Sequence, residues 1–224
     1  MQGVVTGASR GLGLALTRAL SDRGWRLVVD GRDPDALAQA VAGLPGVLAI
    51  AGDVADPEHR HRLLEGLDGE LDLLVNNASS LGPTPLPLLA DYPVDELRRL
   101  YEVNVLAPLA LAQLALPRLR TGARILNVTS DAAVEPYESW GGYGSSKAAL
   151  AQLSAILGAE NPQLRVYAVD PGDMRTQMQQ DAFPGEDISD RPPPEESVPG
   201  LLELIEGDRP SGAYRARELV GASA

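Results

Sequence analysis

Tyr143-Gly144-Ser145-Ser146-Lys147 places a phenol and an ammonium four positions apart, in a stretch (Tyr143–Leu157) whose pattern predicts a helix. Four positions is one helical turn, so the two side chains share a face and can act together. A phenol of unperturbed pKa about 10 exchanges protons poorly at neutral pH, and a fixed ammonium beside it favours the phenolate. Proton transfer to or from a substrate oxygen then becomes feasible. Lys147 is the only lysine among 19 basic residues. Arginine would supply the charge on a planar fork, not on a compact head that can also donate to sugar hydroxyls. Ser130 closes Asn127-Val128-Thr129-Ser130, a predicted strand whose carboxyl end is where doubly wound sheets bind ligands. Its hydroxyl is placed to hold a substrate oxygen, although a lone serine there equally caps the following turn.

A second constellation lies near the start. Thr6-Gly7-Ala8-Ser9-Arg10-Gly11-Leu12-Gly13 follows a strand-like run and opens a helix-like one. Glycines permit positive φ and close backbone approach, and a helix N-terminus offers unpaired N–H groups to a pyrophosphate. A dinucleotide site is expected on Gly7, Ser9, Arg10, Gly11, Leu12 and Gly13. The second strand ends Val28-Val29-Asp30-Gly31-Arg32, where such sites meet the adenosine ribose. An acid there accepts the 2′-hydroxyl of NAD, whereas arginines pair with the 2′-phosphate of NADP. Arg10 and Arg32 favour NADP(H). Asp30 leaves NAD(H) as the alternative, because one register would turn it onto the ribose and the other away.

The elements that must position these groups alternate along the chain. Gly3–Thr6, Arg26–Val29, Val47–Ile50, Leu71–Val75, Arg124–Thr129 and Arg165–Val169 read as strands, and amphipathic helical stretches separate them. After Pro199 a short helix, Leu201–Ile205, and a small terminal strand are expected. Such alternation implies βαβ units with right-handed crossovers. The fold class is α/β, one Rossmann-like doubly wound parallel sheet of about seven strands with helices on both faces, forming a single domain over 1–224. The proline clusters at Pro83–Pro93 and Pro184–Pro199 read as surface loops beside the site.

Composition narrows the partners. A net charge of −12 and a pI near 4.6 disfavour nucleic acid and anionic bilayers. No apolar run looks long enough to span a membrane, and the start runs straight into a strand without a secretory signal. The chain has no cysteine, which makes a cytoplasmic setting the default and leaves no thiolate metal site. His59 and His61 stand two apart beside arginines and read as solvated, so no metal is expected. Trp140, three residues before Tyr143, is a candidate substrate wall.

In its ordered set of motifs the sequence resembles the short-chain dehydrogenase/reductase family along essentially its whole length. The resemblance rests on Thr6-Gly7-x-x-x-Gly11-x-Gly13, Asp53-Val54, Asn76-Asn77-Ala78, Asn104, Ser130, Tyr143-x-x-x-Lys147 and Pro171-Gly172 through Thr176. It implies Tyr143 as general acid/base, with Lys147 lowering its pKa and binding the nicotinamide ribose. Ser130 would polarise the carbonyl, and Asn104 would sit in a helix distortion supporting a water-mediated proton relay. Asp53 and Val54 would line the adenine pocket, Asn77 and Ala78 the adenosine side, and Pro171, Gly172 and Thr176 the nicotinamide end. In NAD-preferring members the acid falls where Gly31 stands here. The implied activity is hydride transfer between NADP(H) and a ketone, aldehyde or secondary alcohol, beneath a substrate lid at 177–199. The implied assembly is a homodimer or homotetramer through the helices around Val94–Leu116 and Tyr143–Leu157. A non-catalytic NADP(H) sensor or scaffold is the rival reading. Ser79 departs from the family's usual glycine, a change expected to alter a loop near the cofactor and to remove no catalytic group.

Overall fold

The computed structural model describes residues 1–219. Seven parallel strands form one sheet in the order β3-β2-β1-β4-β5-β6-β7. They are β1 (Gln2–Val5), β2 (Arg26–Gly31), β3 (Val47–Ala51), β4 (Leu71–Asn76), β5 (Leu119–Val128), β6 (Arg165–Asp170) and β7 (Gly212–Arg215). Their side chains alternate between two cores. Val5, Val29, Val75, Leu126 and Val169 face one layer, and Val4, Val28, Leu74, Ile125 and Val166 face the other. Both faces are therefore covered, and the strands read as unbroken apolar runs.

On the first face lie α1 (Gly11–Asp22), α2 (Pro34–Val41), α8 (Val198–Glu206) and α9 (Ala216–Leu219). On the second lie α3 (Pro57–Glu65) and α5 (Ala107–Ala115), with α6 (Gly141–Glu160) packing there through Leu157. The chain reverses direction across the sheet between β1 and β4, the switch point where ligand crevices open in such folds.

Two expectations change here. β5 stops at Val128, so Ser130 lies two residues beyond the strand and N-caps a short 3-10 turn, Asp131–Ala133, accepting from the Ala132 N–H. Its hydroxyl thus serves as the cap that a lone serine was expected to be, at the mouth of the crevice. The expectation that no apolar run could span a membrane is also corrected. α4 (Val94–Tyr101), a π turn at Glu102–Leu106, α5 and a 3-10 turn join into a 25-residue helix, Val94–Arg118, long and apolar enough by length and composition. Its apolar character has a packing origin, since Leu111, Ala112 and Ala115 are buried against the second core.

Candidate active site

One cavity of about 640 Å³ opens at the carboxyl ends of the strands. At its adenosine end the glycine loop is held from below. Gly7 and Gly11 adopt φ of +70° and +57°. A Cβ on Gly13 would come within 2.3 Å of the Gly7 carbonyl oxygen, so the loop closes only on glycine there. Asn77 Nδ2 donates to the carbonyls of Thr6 and Gly7, and the Thr6 hydroxyl accepts from the N–H groups of Asn77 and Ala78. The Asn77 carboxamide therefore locks the loop to the end of β4. The first turn of α1 has no side-chain cap, and Gly11 and Leu12 line the cavity, leaving N–H groups for a pyrophosphate. Ser9, Arg10, Arg32, Asp53, Val54 and Ala78 line the same end. The residues present fit a dinucleotide.

Asp30 is engaged beneath the glycine loop. Its Oδ1 accepts from the Gly7 N–H at 2.6 Å, and its Oδ2 lies 3.1 Å from His59 Nε2. Arg62 approaches His59 Nδ1 at 3.4 Å, and since a guanidinium can only donate, Nε2 carries the hydrogen toward Asp30. This corrects the expectation of a solvated His59, which is fully buried. No local pattern signalled the pair, because its members stand 29 residues apart on different elements. Gly31 cannot take the acid's place without crowding Ser9, whose Cβ would lie 3.1 Å away. Among the described residues no group of three potential ligands converges on a metal site.

At the other end α6 presents Tyr143 and Lys147, with Tyr143 only 8% exposed and Ser146 fully buried off the lining. Lys147 Nζ lies 5.5 Å from the centroid of the Tyr143 ring and donates to the Val128 carbonyl at 2.8 Å. Ser130 Oγ donates to Asp131 Oδ1 at 2.9 Å, so its proton must rotate away from the carboxylate to reach a substrate oxygen. Asn104 sits in the middle of the π turn and is fully buried, behind the cavity wall. Its Nδ2 donates to the Ser80 carbonyl and to Ser146 Oγ, and its Oδ1 accepts from the Ser80 N–H and Ser79 Oγ. The carboxamide has no hydrogen-bonding group to spare for water, which leaves a relay role only to the main chain of the distorted turn.

The electrostatics depart from the expected activation. Burial raises the Tyr143 phenol above its ordinary value, and the neighbouring Ser79 and Ser130 hydroxyls offset this in part. Burial pulls the Lys147 ammonium down to about 7. The phenol is thus neutral near pH 7, and the ammonium is only partly charged. Desolvation outweighs the mutual effect that the spacing alone suggested.

Pro171, Gly172 and Thr176 line the far wall. Ser197 Oγ donates to the Pro171 carbonyl, and Thr176 N-caps α7 (Gln177–Ala182) while its Cγ2 lies against Gly11. Trp140 stands where the sequence suggested a wall, edge-on to Tyr143 at 5.7 Å and 5.9 Å from Phe183 between centroids. Sequence reasoning missed Phe183 and Ser79. Phe183 is the only phenylalanine of the chain, a signal that could have been used. Ser79 was visible as a departure from the family pattern, but its contact with Asn104 needed the fold.

A switch-point crevice with an uncapped helix N-terminus at one end and a buried phenol, ammonium and hydroxyl at the other marks the class as a dinucleotide-binding oxidoreductase. A family model described as short chain dehydrogenase matches residues 3–187, and the chain belongs to that family. Among curated relatives, benzil reductase ((S)-benzoin forming) of Saccharomyces cerevisiae is 32% identical over 197 residues, covering 80% of this chain and 73% of the yeast protein. The 1-deoxy-11-beta-hydroxypentalenate dehydrogenase of Streptomyces avermitilis is 33% identical over 189 residues, covering 78% and 69%. A short chain dehydrogenase from Escherichia coli CFT073, solved in complex with NADPH, superposes with a TM-score of 0.88 at 26% identity over 96% of each chain.

Proposed function

We propose that the protein interconverts a ketone or aldehyde and the matching alcohol with NADP(H), and that Tyr143 Oη is the proton donor in reduction. The carrying observation is that Ser130, Tyr143 and Lys147 share one wall of the cavity whose other end is the glycine loop. Held by the glycine loop at one end and by Lys147 at the other, the nicotinamide cofactor would supply the hydride for reduction and accept it in oxidation. Ser130 Oγ and Tyr143 Oη hold the substrate oxygen, and Tyr143 gives it the proton that completes the alcohol. The phenolate left behind is reprotonated from Lys147. A neutral Tyr143 suits the reductive direction, because an acid must enter the reaction carrying its proton. The choice of NADP(H) over NAD(H) is supported by Asp30, whose oxygens are already engaged, and by Arg10 and Arg32 on the cavity wall. The Escherichia coli relative solved with NADPH supports it further. Segment 177–199 is the substrate lid of this proposal. A homodimer or homotetramer through the helices carrying exposed Val94, Leu106 and Ile156, and a cytoplasmic setting, belong to it as well.

Turnover of a carbonyl panel with NADPH tests the proposal. Tyr143→Phe is expected to lose about 10²–10⁴-fold in kcat while still binding NADPH, and undiminished turnover would overturn the assignment. Arg32→Ala is expected to weaken NADPH by about 1.5–3 kcal/mol and NADH hardly at all, measured by fluorescence titration. Equal loss for both cofactors would remove the phosphate role.

A further inference from the structure

We infer that the substrate is uncharged and carries an aromatic or similarly flat apolar group, which packs on the Trp140–Phe183 corner, and that carbonyl compounds bearing a carboxylate or phosphate are rejected. The inference rests on the carbonyl/alcohol reading above and narrows it.

Two independent features of the substrate end carry it. The first is shape and polarity. Trp140 and Phe183 meet at an interplanar angle of 45°, and Trp140 stands edge-on to the Tyr143 ring. Leu81 and Met178 line the same end and pack in one cluster with Tyr143. A ring entering this corner finds faces and edges for offset contact, and a thioether beside them. Phe183 follows α7, and the guanidinium of Arg191 lies over its ring at 5.9 Å, fixing its tilt.

The second is charge. Asp131, Glu138, Asp170 and Asp173 all line the cavity at this end. The cations on the lining are Arg10 and Arg32, at the opposite end, and Lys147, which is buried on the Val128 carbonyl. The arginines nearest the mouth already have partners. Arg191 pairs with Asp190, Arg215 with Glu218 and Asp170, Arg217 donates to the Asp173 carbonyl, and Arg175, exposed between Met174 and Thr176, donates to the Ser189 carbonyl at 3.4 Å. Asp131 is anchored as an acceptor from Ser130, Tyr137 and its neighbour's N–H, so its charge stays beside the carbonyl-holding serine. An anionic group reaching this end meets four carboxylates on the cavity lining, whose cations among the described residues are Arg10 and Arg32 at the far end and the engaged Lys147, a repulsion that lowers both affinity and encounter rate.

The test compares aldehydes at saturating NADPH: methyl 4-formylbenzoate against 4-formylbenzoate of similar size, and benzaldehyde against the smaller, non-aromatic propanal. The neutral ester is expected to exceed the carboxylate in kcat/KM by about tenfold or more, a gap that narrows in ~0.5 M salt because screening weakens exposed charges. Benzaldehyde is expected to exceed propanal by a similar factor, unaffected by salt. Trp140→Leu and, separately, Phe183→Leu are expected to shrink the aryl preference, so failure of one variant to fold leaves the other as the test. Asp173→Asn with Glu138→Gln is expected to raise kcat/KM for 4-formylbenzoate relative to the ester and so narrow the gap between them. Equal or faster turnover of the carboxylate, or an aryl preference indifferent to both aromatic variants, would overturn this inference and leave the carbonyl function standing. No turnover of any aldehyde with NADPH or NADH would overturn both.

Discussion

A phenol held almost out of water beside a half-charged amine keeps its proton at neutral pH and gives it up less readily than an exposed tyrosine, and the residues that modulate it are small. The Ser79 and Ser130 hydroxyls lower the pKa of the Tyr143 phenol against the rise that burial imposes. Ser79 also donates to Asn104 Oδ1, in the π turn. Removing it should raise the phenol further. Ser79→Ala is therefore expected to move the rising limb of the alcohol-oxidation pH profile to higher pH and to cut the rate at pH 8 about three- to tenfold, the worth of one hydrogen bond. An unmoved limb would mean that the serine only fills space. The pairing of Tyr143 with Lys147 was plain from spacing, because a helix fixes which residues share a face. The direction of their pKa values was not, because it depends on how much water the fold removes.

At the scale of elements, the glycine loop is held by β2 and α3 from beneath as well as by α1 ahead of it. Asp30 at the end of β2 takes the Gly7 N–H and His59 from α3, both inside the structure. His59→Leu would leave the Asp30 carboxyl buried with one partner fewer. It is expected to cost about 2–3 kcal/mol in denaturant unfolding and to weaken NADPH and NADH alike, since both need the loop. A loss confined to NADPH would instead place the pair in phosphate recognition. Strands were legible to within a residue or two for β1 to β4 and β6, because a two-sided core makes each an apolar run with a punctuated end. The start of β5 was missed by five residues, since Leu119–Ala123 carries arginines and a glycine that mimic a loop. The π turn around Asn104 is invisible in composition and was expected only through family likeness.

At the scale of the whole molecule, one buried charge sets function against stability. Lys147 is 2% exposed, and burial brings its pKa from 10.5 to about 7. The unfolded chain therefore binds more protons than the native one between those values, and this group makes stability rise with pH across that window. The penalty is complete below pH 7 and gone above the unfolded value. Lys147→Met is expected to abolish turnover yet to raise stability at pH 6 by about 2 kcal/mol, net of the hydrogen bond lost at Val128, with the gain fading towards pH 10. A destabilised variant at pH 6 would show that the ammonium is better solvated than its burial implies. The sequence by itself determined the alternating architecture, the glycine loop and the order of the reactive residues, because these follow from periodicity, backbone freedom and spacing within single elements. Only the tertiary structure decided that Asp30 turns inward to His59, that Ser79 meets Asn104, and that an acidic, aromatic corner closes over the phenol. Each of those depends on side chains from elements far apart in the chain, and their meeting is set by packing that no local pattern encodes.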